Sequence, residues 1–212
     1  MNGLIAAAAI AIAAIAARAA GAVTIVNGSF ESPLVTPGTF NTYDSGASST
    51  FLDGWTVTSG TIDHIGAGFW QASDGSQSLD LVGFTGIGAI EQSLTGLTIG
   101  ASYSILFDMA GNPGGLRTLL ASFGAVSQQF DFDATSTTTT NMGWVTYSLD
   151  FVAAATNGVL SFTSRDNSCC KGAALDNVRI VENVAPIPVP AAGLLLLGAV
   201  GGLMAARGRR AS

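Results

Sequence analysis

Short segments in which apolar and polar side chains alternate follow one another through the central part of the chain. Between Ser102 and Met109, for example, Tyr103, Ile105 and Phe107 occupy every second position, which places them on one face of an extended strand. Gly, Ser, Asn, Asp and Thr separate these segments and favour turns. The predicted strands are Val23–Val26, Trp55–Val57, Thr61–Ile65, Ser78–Val82, Ala89–Leu94, Ser102–Met109, Leu116–Phe123, Gln128–Phe132, Trp144–Phe151, Val159–Thr163 and Ala174–Val181.

This pattern predicts one all-β domain over residues 23–184, with a jelly-roll β-sandwich as its fold class. Residues 35–52 are rich in Gly, Ser and Thr and are predicted to form a long surface loop held down by Phe40, Tyr43 and Phe51. The run Thr135–Thr140 is predicted to be an exposed loop or an irregular edge strand. Long loops at one end of a sandwich commonly carry binding sites.

The first 22 residues predict a signal peptide. Residues 4–17 are almost all Ala, Ile and Leu, an apolar run that is short for a membrane span. The small residues of Ala20-Gly21-Ala22 have the form of a signal-peptidase site. Lys and Arg are absent before Arg18, which is irregular for such a signal, and a buried Ala-rich helix is the alternative.

Residues 185–212 predict a Pro-rich break followed by a single transmembrane helix. Pro186, Pro188 and Pro190 interrupt regular structure, and residues 191–206 are apolar. As a helix these sixteen residues span about 24 Å, slightly less than a hydrocarbon core of about 30 Å, although flanking arginines can reach the interface. Arg207, Arg209 and Arg210 are expected in the cytoplasm, which leaves the domain outside.

Charge is scarce and unevenly distributed. Charged residues make up 10% of the chain, and the formal net charge is −6. All 14 acidic residues lie between Glu31 and Glu182, with four basic residues in the same span. A domain of this charge repels nucleic acid and anionic lipid, so no nucleic-acid partner is expected.

Five motifs in order resemble a known family. They are Asn27–Glu31, Gly54–Val57, Thr61–Ile65, Asp74–Leu81 and Cys169–Val178. Together they resemble the bacterial choice-of-anchor C family, which is similar to a plant cell-wall domain of unknown function with a galactose-binding-like jelly roll. The resemblance covers nearly all of residues 23–182. It implies an exported polysaccharide-binding domain without catalytic activity.

The C-terminal segment resembles PEP-CTERM sorting signals in their VPLPA variety. The motif here is Ile-Pro-Val-Pro-Ala, in which Pro188, Val189, Pro190 and Ala191 align with the family pattern. The resemblance implies recognition by an exosortase-type membrane peptidase, with the arginine cluster as the end of the signal. The protein is then expected at the cell envelope, on the surface or in the extracellular matrix, first anchored in the membrane by the C-terminal helix.

The resemblance also implies a structural calcium ion held by Glu31 and Asp176. Carbohydrate-binding modules of this fold use acidic residues in the opening and closing motifs for Ca²⁺, which binds six to eight oxygens. Such an ion would tie the two ends of the domain together. Two exposed acids, or an ion pair between Glu31 and Arg179, are the alternatives.

Trp70 is the candidate for contact with a sugar. It lies in a Gly-rich segment, whereas Trp55 and Trp144 begin predicted strands and are expected in the core. The apolar face of a pyranose packs against an exposed aromatic ring. Core packing of Trp70 is the alternative.

Cys169 and Cys170 are adjacent, and an exported protein permits a disulfide between them. Adjacent Cα atoms lie about 3.8 Å apart, below the usual range of about 4.4–6.8 Å for a disulfide. Two free thiols, or bridges to another chain, are the alternatives.

Catalytic chemistry is not indicated by any motif. His64 is the sole histidine and Gly-x-Ser-x-Gly is absent. Glycoside hydrolysis needs two suitably separated carboxylates, and the spacing of Asp74, Asp80 and Glu91 does not select a pair. We therefore expect a polysaccharide-binding protein, with a structural matrix protein as the alternative and a hydrolase ranked below both.

Overall fold

The structure, a computed structural model, describes residues 23–166 and 169–184. These residues form eleven strands in two antiparallel sheets, and no helix occurs among them. The strands are β1 (Phe40–Asp44), β2 (Thr56–Ser59), β3 (Thr61–Ile65), β4 (Ser78–Asp80), β5 (Ala89–Thr95), β6 (Ser102–Gly111), β7 (Leu116–Phe123), β8 (Val126–Asp133), β9 (Val145–Val152), β10 (Asn157–Ser164) and β11 (Ala173–Glu182).

The two sheets have six and five strands. The order is β1-β3-β4-β11-β6-β9 in the first and β2-β5-β10-β7-β8 in the second. Every pair of neighbouring strands is antiparallel. This confirms the predicted all-β sandwich, and ten of the eleven predicted segments overlap an observed strand.

The core lies between the sheets, as the alternation predicts. Ile105, Phe107 and Met109 of β6 are fully buried, and Phe107 packs edge-on against Phe162 of β10 with ring centroids 5.1 Å apart. Burial of each such side chain stabilises the fold by about 1.5–3 kcal/mol. The facing aromatic and aliphatic side chains therefore hold the two sheets together.

The predicted strand Val23–Val26 is wrong, because this segment has no strand structure. The side chain of Gln92 takes the place of a partner strand. Its Oε1 accepts a hydrogen bond from the Val26 N–H at 2.8 Å, and its Nε2 donates to the Val26 carbonyl at 2.9 Å. A second bond from Nε2 reaches the Gly54 carbonyl at 2.8 Å. The backbone N–H and carbonyl of Val26 are therefore satisfied without joining a sheet.

The predicted loop at residues 35–52 is partly wrong, because it contains β1. This strand pairs with β3, with Tyr43 opposite Ile62. Tyr43 is buried, and Phe51 packs edge-on against it with ring centroids 6.1 Å apart. The aromatic residues hold the segment down as predicted, but β3 also recruits part of it into the six-stranded sheet.

The predictions for both chain ends concern residues outside the described ranges. They are the signal peptide (residues 1–22), the sorting motif Pro188, Val189, Pro190 and Ala191, the apolar segment 191–206, and Arg207, Arg209 and Arg210. They remain predictions. Between residues 23 and 184, the described part contains no helix long and apolar enough to cross a membrane.

Candidate functional site

Two long loops meet across one face of the six-stranded sheet. The β3–β4 loop covers residues 66–77, and the β8–β9 loop covers residues 134–144. Gln71 joins them. Its N–H donates to the Thr139 carbonyl at 2.8 Å, its Oε1 accepts from the Met142 N–H at 3.0 Å, and its carbonyl accepts from Trp144 Nε1–H at 2.8 Å. These three bonds fix the spacing of the loops.

An open groove runs between the two loops, on both sides of Gln71 and Ala72. One part has a volume of about 520 Å³ and lies between Phe69 and Thr139. The other has a volume of about 360 Å³ and is lined by Asn141 and Trp144. Both volumes fall within the range of small-molecule sites. We call this pair of depressions the groove.

Trp70 is buried, which agrees with core packing, the alternative that the sequence left open, and not with an exposed stacking surface. Although it contributes to the groove wall, it is only 4% exposed. Its Nε1–H donates to Ser78 Oγ at 2.6 Å, so the indole is anchored to the sheet. The neighbouring ring of Phe69 is 38% exposed, and Phe40 supports it edge-on at 5.3 Å.

Trp144 is the second accessible ring in the groove. The sequence predicted it in the core, but it is only partly buried and packs against the core, and its indole N–H is bonded to the Gln71 carbonyl. Trp55 is buried in the core as predicted. Phe69 and Trp144 therefore replace Trp70 as the aromatic contacts that a ligand in the groove would meet.

Two side-chain amides in the groove keep free hydrogen-bonding groups. Gln71 uses its Oε1 for the Met142 N–H, and its Nε2 has no partner among the described residues. Asn141 uses its backbone N–H and carbonyl to close a turn with Thr138, and its side-chain amide likewise has no partner within residues 23–166 and 169–184. An amide offers both donors and an acceptor, which suits hydroxyl groups of a ligand.

Asp176 and Asp108 hold the β3–β4 loop from below. Asp176 Oδ2 accepts hydrogen bonds from the N–H groups of Ser73 at 2.7 Å and Asp74 at 2.9 Å. Asp108 Oδ2 accepts from Ser73 Oγ at 2.6 Å. Asp176 lies opposite Asp108 in the register of β11 and β6. Neighbouring strands therefore place both carboxylates under the same part of the loop.

Glu31 holds the other half of the loop. Its Oε1 accepts from the N–H groups of Ser76 and Gln77, each at 2.7 Å, and its Oε2 accepts from Ser76 Oγ at 2.9 Å. Gly75 lies directly against this carboxylate, because a Cβ at that position would come within 2.5 Å of Glu31 Oε1. The chain at Gly75 also has φ +61°, a conformation that glycine adopts without strain.

The structure brings Glu31 and Asp176 to the same loop, but as hydrogen-bond acceptors. Both oxygens of Glu31 accept from Ser76 and Gln77, and Asp176 Oδ1 also accepts from the Asn177 N–H at 2.7 Å. All four carboxylate oxygens thus face N–H or O–H donors, which does not fit a cation site at this pair. In the described part of the chain, no group of three or more His, Cys, Asp or Glu is placed to hold a metal ion. Calcium remains a prediction that a chelator can test.

Burial changes the acidity of these carboxyl groups. It raises the pKa of Asp176 to about 7, although hydrogen bonds from the N–H groups of Asp74, Asn177 and Ser73 favour the charged form. Burial also acts on Asp108, but its hydrogen bonds outweigh it and lower the pKa of that carboxyl group. The pKa is therefore raised at Asp176 and lowered at Asp108, although the two residues lie side by side on the sheet.

Asp80 lies deeper on the same face of the six-stranded sheet, beneath the loop that contains Cys169 and Cys170, which we call the disulfide loop. Its Oδ1 accepts from the N–H groups of Val82 and Gly172, each at 2.9 Å, and its Oδ2 accepts from Asn112 Nδ2 at 2.8 Å. Burial raises the pKa of Asp80 to about 7. The carboxyl group is only 1% exposed, so it serves to hold the converging loops.

The disulfide loop contains Cys169 and Cys170, which the structure joins to each other. The structure therefore contains the vicinal disulfide, and not the two free thiols or the bridges to another chain that were the alternatives. Asn112 Nδ2 also donates to the Cys170 carbonyl at 3.0 Å. This bond fastens the cysteine loop to the turn that follows β6.

The carboxylates considered for hydrolysis do not come together. Asp80 is buried in the six-stranded sheet, whereas Glu91 lies on β5 of the five-stranded sheet. Asp74 is exposed on the β3–β4 loop. These three residues therefore do not form the pair that glycoside hydrolysis requires.

Comparison with known proteins identifies the domain. Residues 23–181 match the family model described as protein of unknown function (DUF642). Over 169 residues, which are 79% of this chain, the sequence is 36% identical to halomucin of Haloquadratum walsbyi. The chain spans only 2% of the length of halomucin.

Solved structures with a similar fold include two proteins that were solved with a bound sugar. An arabinose-bound α-L-arabinofuranosidase matches with a TM-score of 0.50 at 12% identity, covering 77% of this chain and 27% of the other. A family 61 carbohydrate-binding module in complex with β-1,4-galactotriose matches with a TM-score of 0.45 at 15% identity, covering 74% and 96%. At these identities the likeness concerns the fold alone.

Proposed function

Because the chain belongs to the DUF642 family, with its sandwich matched over residues 23–181, we propose that this domain is a non-catalytic polysaccharide-binding module of an exported protein. The observation that carries the proposal is the groove, which brings together two accessible aromatic rings and two side-chain amides that keep unused hydrogen-bonding groups. Phe69 and Trp144 supply the rings, and Gln71 and Asn141 supply the amides. Sugar C–H faces pack on aromatic rings, and sugar hydroxyls bond to amides.

The groove is held in shape before any ligand arrives. Gln71 ties the two loops together through three hydrogen bonds. Glu31 and Asp176 hold the β3–β4 loop through its backbone N–H groups. A site that is already ordered loses less conformational entropy on binding, which supports a binding role for these loops.

The location of the protein follows from its two ends. Residues 1–22 act as a signal peptide for signal peptidase, and residues 191–206 anchor the product in the membrane until an exosortase-type peptidase processes it. The sorting residues are Pro188, Val189, Pro190, Ala191, Arg207, Arg209 and Arg210. Support for this part comes from the sequence and its resemblance to choice-of-anchor C and PEP-CTERM proteins. Intact-mass measurement of the protein from its native envelope tests both cleavages, and a full-length mass would refute them.

Retention on immobilised polysaccharides tests the binding function. Wild-type protein should be retained on at least one polymer, and Phe69→Ala and Trp144→Ala should each weaken retention about fivefold, because an aromatic contact contributes roughly 1 kcal/mol. Phe84→Ala is the matched control, since Phe84 is 75% exposed on the β4–β5 connection and does not line the groove. Equal retention of all three variants would contradict the assignment of the groove.

One observation favours a second function, that of a structural matrix protein. Strand β8 is an edge of the five-stranded sheet, and its first four residues, Val126–Gln129, are exposed. An open edge can pair with a strand from another copy. Sedimentation that shows concentration-dependent assembly, together with no retention on any polysaccharide, would establish this alternative in place of binding.

A further inference from the structure

We propose that the groove selects neutral polysaccharides and rejects those that carry carboxylate groups. This inference rests on the proposed binding function and adds the class of ligand. Three features of the structure carry it: the side chains along the groove, the use of the loop N–H groups, and the positions of the basic residues.

No charged residue of the described ranges lines the groove, and the charged residue that lies between the lining residues Ser73 and Gly75 is negative. The β8–β9 loop, residues 134–144, contains no charged residue, and the β3–β4 loop, residues 66–77, contains only Asp74. Asp74 is exposed. A carboxylated sugar in the groove would therefore lie near a like charge beside it, whereas neutral hydroxyls find the amides of Gln71 and Asn141.

The backbone donors that would otherwise attract an anion are already occupied. Consecutive N–H groups in a tight loop form a natural anion site. Here the N–H groups of Ser73 and Asp74 donate to Asp176, and those of Ser76 and Gln77 donate to Glu31. The protein's own carboxyl groups thus fill the loop from below and leave these N–H groups unavailable to an anion.

None of the four basic side chains of the described ranges lines the groove. Arg179 forms an ion pair with Asp108, with Nη1 4.0 Å from Asp108 Oδ1. It also donates a hydrogen bond of 3.0 Å to the Asn177 carbonyl. Arg117 donates to carbonyls of the turn after β6, and Lys171 Nζ donates to the Pro113 carbonyl in the same turn. Arg165, the fourth basic residue of the described ranges, follows the end of β10.

Retention on paired polymers that differ mainly in charge tests the inference. The probes are highly methyl-esterified polygalacturonate with unesterified polygalacturonate, and hydroxyethyl-cellulose with carboxymethyl-cellulose. At low salt the neutral member of a pair should be retained about tenfold or more strongly, because each carboxylate within a Debye length of the ligand repels it. The difference should shrink in high salt, where this repulsion is screened.

Two charge variants locate the effect. Asp74→Asn should reduce the ratio of retention on the neutral polymer to retention on the carboxylated polymer about twofold to threefold. Retention of the neutral polymer should stay the same. Glu182→Gln makes the same change in net charge at the far end of β11 and should leave the difference unchanged.

Each possible result decides a separate point. Stronger retention on the carboxylated polymers would overturn the inference while leaving the binding function standing, and loss of that retention in Arg179→Gln would identify Arg179 as the anion contact. An equal effect of the two charge variants would also overturn the inference, because it would show that net charge alone acts. Failure to bind any polymer would refute the binding function and the inference with it.

Discussion

Replacement of Asp80 by asparagine isolates the energetic role of the buried carboxyl group. In the variant, the amide oxygen can keep the two hydrogen bonds from the N–H groups of Val82 and Gly172. The NH₂ group of the new asparagine then faces Asn112 Nδ2. In the wild type this same Asn112 group donates a hydrogen bond to Asp80 Oδ2. One hydrogen bond is lost, which costs about 1 kcal/mol, but the ionisable group is removed at almost constant shape.

The expected effect is a flatter dependence of stability on pH. Burial raises the pKa of Asp80 from 3.8 to about 7, so the folded protein holds this proton more tightly than the unfolded chain. Its contribution to stability is complete below the unfolded pKa and is lost as pH rises through the folded pKa. Between pH 5 and pH 8 this single group should therefore reduce the free energy of unfolding by about 3 kcal/mol.

Urea unfolding followed by tryptophan fluorescence measures this quantity at pH 5 and pH 8. The loss of stability between the two values should be about 3 kcal/mol smaller in Asp80→Asn than in the wild type. Contributions from Asp176 and His64 are present in both proteins and cancel in the comparison. Glu182→Gln, a change at an exposed residue, should retain the wild-type dependence. A pH dependence in Asp80→Asn that matches the wild type would refute the assignment of a buried, proton-binding carboxyl group.

Three further changes test the loops and the N-terminal segment by thermal unfolding. Gly75→Ala should lower stability by about 1 kcal/mol or more, because its φ is +61° and its Cβ would contact Glu31; an unchanged Tm would contradict the close approach. Gln92→Ala should lose about 2–4 kcal/mol, because it leaves the backbone groups of Val26 without partners, and a loss below about 1 kcal/mol would contradict this role. EGTA should leave the Tm unchanged, because Glu31 and Asp176 already face N–H and O–H donors; a fall reversed by added Ca²⁺ would establish the calcium ion.

Most strands were predictable from the sequence because the alternation of side chains is a local property. The inward residues of β6 show it clearly, since Ile105, Phe107 and Met109 are all buried. Two neighbouring cysteines also needed no tertiary information to be considered as a bridge. In each case the signal lies within a few consecutive residues, so it can be read without knowing what packs against them.

The candidate site was only partly predictable. The Gly-rich segment around Trp70 and the Thr135–Thr140 run were both recognisable as surface loops, but no pattern shows that they meet. Phe69 and Trp70 are adjacent in the same loop, and only the packing against Ser78 decides which ring is buried. Gln71 carries no sequence signal at all, because its partners lie about seventy residues away.

The sequence by itself determined the all-strand domain, the periodicity of its core and the polar, Gly-rich composition of its loops, because these depend on neighbouring residues. The tertiary structure alone decided which loops form the groove and what the acidic residues do. At the end of residues 23–26, which are not a strand, the backbone bonds of Val26 go to Gln92, a residue distant in sequence. Glu31 and Asp176 bind the same loop although they lie at opposite ends of the domain sequence. Contacts between distant residues leave no periodic trace along the chain, so only the folded arrangement reveals them.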